Sequence, residues 1–525
     1  MKRIAPAAFV LLLAASPLSA QIPDARLVPT GAFRWSFTPS WTSWDRIIDE
    51  SGKERLLRSF VSLNSDSAGA DVLPGLSAAD SAIRSITAIS PYRINLGVMH
   101  ATLDADVRHF PFEFALGLAS RLTITASVPF VVTRMNSDLT LDSTSGNAGW
   151  NQNLAQSGSV SGPGTITTLL AQLAASATQL SQNIGAGSYG CPGNASCATA
   201  QALLARVQAL RNNIGRLAGV GATTVPAAAP TASSAAGQAI TQEITSVNNA
   251  LASLSPSVIG ASVTMPLPTK RFSKSDLPSV LSAAGLGTVG DEFHYSKLTG
   301  LGDAELGARF GLVQGPHVRL TLVGGARLPT GTRDDPVKLI DISPADHQLD
   351  LTGGFEAALD PGSVLSLSLA GSYTRQFPDQ LDRRITPIDQ VITAAPVVRV
   401  NRDLGDYFYL QAFPGLRLND AFRVYAGVTY FNKGTDHYSG AAGASVMDAH
   451  TAMRTTSFMS GIMYRSVGGA KNLPIDAGMT YSAVYSGAGG FVPKATTLTM
   501  YLRFYYWLWG RTGNGERGTG NGTTP

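Results

Sequence analysis

The chain has 525 residues, 44% of them hydrophobic and only 14% charged, with 54 glycines and 15 tyrosines. Lys+Arg (40) and Asp+Glu (36) nearly balance, which leaves no basic footprint for nucleic acid. Past the first twenty residues no run of 18 apolar residues offers a membrane helix, so the composition fits a large, glycine-rich β structure.

The N-terminus names the compartment. Lys2 and Arg3 precede "FVLLLAAS", and Leu18-Ser19-Ala20 offers a small-x-small cleavage site. This is the pattern of a secretory signal peptide, residues 1–20, removed after about Ala20. No cysteine stands at the cleavage point, which argues against a lipoprotein anchor.

The first predicted strand spans 31–44, where Phe33, Trp35, Phe37 and Trp41 alternate with Arg34, Ser36, Thr38 and Thr42. Strand side chains point to opposite faces in turn, so this segment has an oily and a mixed face. Strands at 97–119 and 121–134 follow, joined by "LASR"; the first of them changes parity near Arg108–Phe112, which predicts a bulge there. Residues 21–134 thus supply three strands.

Residues 135–290 change character and become rich in Ala, Ser, Gln and Asn. Apolar stripes at spacings of three and four predict amphipathic helices packed on one another. They are Ile166, Leu170, Leu173, Ala177, Leu180 and Ile184; Leu203, Val207, Leu210, Ile214 and Leu217; and Ile240, Ile244, Val247, Leu251 and Leu254. Cys191 and Cys197 are expected to form a disulfide that clamps the first hairpin, and residues 221–237 read as a flexible link. As the insertion follows an upward strand, it is expected outside the cell as a cap or within the pore as a plug.

Alternation returns across 291–510. Nine strands are predicted at 298–313, 317–329, 346–360, 363–377, 404–418, 421–434, 451–466, 472–486 and 495–510, with tight turns and longer links in alternation. Short turns at one end and long loops at the other mark a transmembrane β-barrel. The fold expectation is therefore all-β: an antiparallel transmembrane barrel of about 12 strands with an α-helical insertion. Residues 511–525 form a low-complexity, glycine-rich tail predicted to be disordered.

The arginines support the same geometry. Arg309, Arg319, Arg327, Arg417, Arg423 and Arg503 all fall on the mixed parity, while a midplane arginine facing lipid costs roughly 2–4 kcal/mol. Arg375 breaks the rule only at the long-loop end of its strand. With Asp303, Glu305, Asp350 and Glu356, these six arginines are the predicted lumen-lining set. Trp507, Trp509, Tyr430 and Tyr485, near strand ends, suit an interfacial belt.

"LGLASRLTITASVPFV" (116–131) and "GLGDAELGARFGLV…ARLPTGTRD" (300–334) carry a family likeness. Val128-Pro129-Phe130 ends one strand, Gly300–Asp303 opens the next down-strand, and Leu328–Gly331 ends the following up-strand. In this the chain resembles the outer-membrane barrels of the phenol-degradation meta-pathway transporter family, which are FadL-like in style. The resemblance implies uptake of small hydrophobic or aromatic molecules. The long insertion and the glycine-rich tail depart from the family pattern.

The expected function is thus an outer-membrane channel or transporter of Gram-negative type, with no cofactor, metal or nucleic acid. Its expected partners are outer-membrane lipid, the outer-membrane assembly machinery and a small-molecule cargo. Two alternatives stand beside it. One is a structural or adhesive barrel without transport. The other is a barrel hydrolase using His437 and Ser439 or His294 and Ser296, although no Gly-x-Ser-x-Gly elbow accompanies either pair. Acidic loop residues Asp334, Asp335, Asp341, Asp379 and Asp382 could hold Ca²⁺ but read better as solvated charges.

Overall fold

A computed structural model describes residues 22–23, 25–57, 65–73, 75–151, 163–220, 226–277, 295–333, 336, 343–362, 364–385, 397–466 and 475–509. The signal peptide, the tail, His294, Asp334, Asp335 and Asp341 lie outside the described residues. Twelve strands form one closed antiparallel barrel. They are β1 (Ala32–Phe37, resumed at Ser40–Trp44), β2 (Val98–Ala119), β3 (Leu122–Asp142), β4 (Tyr295–Leu301, resumed at Ala304–Gln314), β5 (Val318–Leu328) and β6 (Asp350–Leu359). Then come β7 (Leu365–Gln376), β8 (Tyr407–Arg417), β9 (Phe422–Lys433), β10 (Met453–Arg465), β11 (Ile475–Ala488) and β12 (Thr496–Trp507). Each strand pairs with its chain neighbours, and β12 closes on β1 with Trp35 opposite Phe504 and Ser36 opposite Arg503.

Period-two patterning decides which side of each strand meets what. On β12, Leu498, Met500, Leu502, Phe504 and Tyr506 face out, while Thr499, Tyr501 and Arg503 are buried inside. Leu322, Phe355, Leu410 and Val428 repeat the outward half on β5, β6, β8 and β9, each left exposed by the protein itself. Among the described residues no helix is long and apolar enough to cross a membrane.

The expected bulge at Arg108–Phe112 is absent. β2 and β3 stay in unbroken register from Val98–Asp142 to Gly117–Thr123, and the only shift falls between Gly117 and Ala119. What changes at that level is the surroundings. Below the Phe110–Phe130 pair the outward residues are Phe112, Phe114 and Val128; above it they are Asp104, Asp106, Asn136 and Asp138. The inward residues above the pair, Leu103, Val107, Met135 and Leu139, are buried in an apolar core. The hydrophobic pattern inverts while the pleat continues.

β2 and β3, at 22 and 21 residues, outrun the 10–14 residues of β5 to β12. At about 3.3 Å per residue they project roughly 30 Å further. Their upper inner face carries a helical cap of α1 (Leu76–Thr87), α2 (Pro163–Gly185), α3 (Ala195–Ala218) and α4 (Ala235–Ala252). Most of the predicted stripe is buried: Leu173, Leu180, Val207, Ile214, Ile240 and Val247 are fully enclosed, whereas Leu170, Ile184 and Leu254 are only partly buried and Leu169 takes the enclosed place beside Leu170. Cys191 and Cys197 are disulfide-bonded at the α2–α3 turn, and Asn194 and Ser234 cap α3 and α4 by accepting backbone N–H bonds. Part of the expected flexible link is ordered instead. Ala228–Pro230 pairs with Ala148–Trp150 in the cap core, where small side chains permit close backbone packing. Away from the cap, Asp379–Arg384, Val397–Asp403 and His437–Ser439 form a small sheet above β7–β10.

Candidate functional site

Side chains from nine of the twelve strands, β1 to β8 and β12, converge on one cavity of about 160 Å³ inside the barrel. Arg34, Glu113, Glu305, Arg309, Glu356, Tyr409 and Arg503 are among its lining groups. Ligand pockets usually span about 300–1,000 Å³, so the cavity is small beside a typical ligand site.

Its floor is the segment before β1, which runs inside the barrel. Ile22 packs among Phe413, Tyr425, Met459, Met463 and Tyr501, the inward side chains of β8, β9, β10 and β12. The Ala25 amide donates to Glu356 Oε2 at 3.2 Å, and the Ala25 carbonyl accepts from Thr321 Oγ1 at 2.7 Å. Further along, the Val28 amide donates to Thr123 Oγ1 at 3.0 Å. Gly117 is needed there: any Cβ would lie 2.1 Å from the Pro29 carbonyl oxygen. Ala25 holds a left-handed φ of 52°, a conformation the docking must impose.

The roof is charged. Arg327 bridges Asp346, at 2.9 Å, and Asp350. Asp303 sits in the break of β4 and accepts the Gly331 amide at 2.8 Å and the His347 amide at 3.0 Å. Gly302 donates to the Pro129 carbonyl and Thr332 to the Leu301 carbonyl. The three family-like motifs therefore meet at one corner of the rim, although far apart in sequence. Burial works against the charge on Asp346, and the Arg327 guanidinium 2.9 Å away offsets it. Arg402 ties the roof to the outer sheet by donating to the Asp346 carbonyl while pairing with Asp379 at 2.8 Å.

The ten predicted residues fall into separate groups. Asp303, Arg327 and Asp350 belong to the roof, with Glu305 opposite Arg327 in register. Arg309 and Glu356 pair at 2.5 Å beside the floor segment. Arg423 bonds Asp360 at 2.6 Å, Arg417 donates to the Gly362 carbonyl, and Arg319 lies beside Asp360 and Arg423 near the short turns. Arg503 stacks its guanidinium 4.7 Å from the Tyr501 ring. Arg375 points outward at the loop end and lies over Phe377. Sequence reasoning missed the floor segment, Asp346 and Arg402, which carry no periodic signal. It also left out Arg34 and Glu113, which parity could have found.

Among the described residues the alternative sites do not assemble, while His294, Asp334, Asp335 and Asp341 lie outside them. His437 and Ser439 are exposed on the outer sheet, and His437 Nδ1 lies 3.4 Å from Asp448 Oδ2 with no hydrogen bond to Ser439. Asp379 and Asp382 are engaged by Arg402 and Arg399. Among the described residues no group of three or more His, Cys, Asp or Glu is placed to hold a metal ion.

No protein-family model and no curated relative matches the chain. Among solved structures, an outer membrane channel from Pseudomonas putida F1 is similar over 92% of this chain and 98% of its own, at 10% identity and TM-score 0.42. The P. putida toluene transporter TodX covers 91% and 90%, at 10% identity and TM-score 0.29. The Ralstonia pickettii toluene transporter TbuX covers 96% and 95%, at 12% identity and TM-score 0.29. These are likenesses of chain course at low identity, and what those proteins carry is not thereby assigned to this one.

Proposed function

We propose that this protein is an outer-membrane channel for small, hydrophobic or aromatic molecules, held here in a closed state. The observation that carries the reading is the interior cavity, with the segment before β1 docked at one end, within a barrel whose outer face is apolar. A purely structural barrel has no use for an interior cavity with a floor tied by a few hydrogen bonds. The cargo class rests on the mixed lining, where Val323, Tyr409 and bare glycine backbone stand beside charged groups, together with the family-like motifs. Asp303, Glu305, Arg309, Arg319, Arg327, Asp350, Glu356, Arg417, Arg423 and Arg503 are the proposed lumen-lining set. Localisation follows from the signal peptide and the apolar girdle, with outer-membrane lipid and the assembly machinery as partners.

The structural reading keeps one supporting observation, the paired state of Arg309, Arg327 and Arg423 inside the barrel. Single-channel recording in planar bilayers separates the two, using the full chain and a variant without residues 150–256. Discrete openings in either protein support the channel. Silence in both, from barrels that remain heat-modifiable on gels, favours the structural role. Uptake of phenolic and long-chain compounds by a deletion strain then identifies the cargo.

A further inference from the structure

The outward apolar face of β2, β3 and β4 stops at Phe110, Phe130 and Leu301, which stand side by side in register. Three cations follow above this row on the same face. Arg108 lies two residues further up β2, and Arg134 and Lys297 lie four residues further up β3 and β4. Arg134 is the direct register partner of Lys297 on one side and of Asp106 on the other. At about 3.3 Å per residue and a strand tilt near 40°, Arg108 stands about 5 Å and the other two about 10 Å above the row. The polar layer of each leaflet adds about 5–8 Å to the hydrocarbon. Long cationic side chains reach back toward it, so all three charges fall at headgroup depth.

The acids on this face have partners within the protein. Asp106 Oδ1 accepts from Arg108 at 3.2 Å, Asp104 Oδ2 accepts from the Asn136 amide at 2.9 Å, and Asp138 lies 3.5 Å from Lys274. Arg134 and Lys297 differ. Among the described residues no carboxylate pairs with either, and Arg134 Nε is shielded from solvent with no hydrogen-bond partner. Like charges directly opposite one another across two strands destabilise the pair, so the juxtaposition of Arg134 and Lys297 calls for an anion between them.

We propose that Arg134 and Lys297, with Arg108 beneath them, bind the phosphate of an outer-leaflet glycolipid. Arginine grips phosphate through two parallel N–H donors, and lysine serves as a point charge beside it. Phe110, Phe130 and the exposed Leu301 lie directly below to receive acyl chains. Trp41, opposite Arg108 in register, flanks the headgroup as an interfacial aromatic. This apolar surface continuous with the cations is why the occupant is a lipid rather than free phosphate. The bound lipid holds β2, β3 and β4 together where the long hairpin that carries the cap leaves the bilayer. The site rests on outer-membrane placement and not on transport, so a barrel that conducts nothing would still possess it.

The test measures lipid retained by the full chain in detergent micelles, read by native mass spectrometry. EDTA is present so that no divalent cation bridges phosphate to Asp104 or Asp138. The probes are bisphosphorylated lipid A, the same lipid stripped of both phosphates, and inorganic phosphate. Arg134→Gln/Lys297→Gln is compared with Arg211→Gln/Arg216→Gln, which removes the same charge from exposed positions on α3 of the cap. Heat-modifiability on gels verifies that each barrel is folded. Two headgroup cations should be worth roughly 30-fold in affinity for bisphosphorylated lipid A, lost in the first variant and kept in the second. Removing the phosphates should bring the native chain down to the level of Arg134→Gln/Lys297→Gln. Equal retention by the two variants, equal retention of the two lipids, or displacement of lipid A by an equal concentration of inorganic phosphate would overturn the proposal. No ion flux enters the readout, so silence in planar bilayers would refute the channel and leave the lipid site standing.

Discussion

The floor segment gives the channel reading its most direct test. Ile22 is 3% exposed, packed among five large side chains of the barrel wall. Ile22→Ala removes three carbons, and at about 0.8 kcal/mol per buried CH₂ docking should weaken by about 2.4 kcal/mol. That corresponds to roughly sixtyfold in the ratio of docked to released segment. Ala25→Gly should act in the opposite direction, because glycine adopts the left-handed φ of 52° without the 1–2 kcal/mol strain that alanine bears. Part of this gain, about 0.5–1 kcal/mol, is offset by the freer unfolded segment. Closed dwell times in single-channel records should therefore shorten in Ile22→Ala and lengthen in Ala25→Gly, with heat-modifiability unchanged. If both variants keep wild-type dwell times within about threefold, or shift the same way, the segment is not the gate and the reasoning fails.

Other outcomes test the remaining parts of the architecture. Leu322→Arg, on the outward face of β5, should cost roughly 2–4 kcal/mol in reversible unfolding from lipid vesicles, while its neighbour Val323→Arg, facing the chamber, should escape that lipid penalty. Val207→Ala, at a fully buried cap position, should cost the cap about 2–3 kcal/mol by loss of two buried carbons and the cavity they leave. Protease should then cut the helices while the barrel stays intact. Cys191→Ser/Cys197→Ser opens a loop with a sequence separation of 6. Chain entropy places the loss at about 2 kcal/mol, confined to the α2–α3 hairpin and visible there as faster amide exchange.

The barrel was legible because lipid outside and a polar interior write a two-residue period into every strand. The period needs no knowledge of neighbours, so the strand count and the facing of Arg309, Arg327 and Arg503 followed from it. The reading failed where the solvent changes along one strand. At Phe110 and Phe130 the outward environment passes from lipid to water and the inward one from chamber to cap core. An unbroken strand therefore mimics a bulge, and β3 seems to end at 134 when it runs to Asp142. The cap helices were legible from their stripes, except α1, whose twelve residues sit in a mixed loop. Asp346, Arg402 and the floor segment were invisible, because loops and termini are placed by single long-range bonds that leave no period.

The same inversion fixes the barrel's depth in the bilayer. From Phe110 to Leu118 the outward side chains of β2 are Phe110, Phe112, Phe114, Leu116 and Leu118, a run of roughly 30 Å along the strand at about 3.3 Å per residue. With a strand tilt near 40° this spans about 23 Å along the membrane normal, close to the apolar band of about 25 Å found on such barrels. Leu301 pairs with Phe130 at the upper edge of that band, so Asp303 stands just inside the outer boundary. Ile22 and the Arg423–Asp360 pair lie toward the short turns. The docked segment and the charged rim cluster are thus separated along the barrel, with the cavity between them.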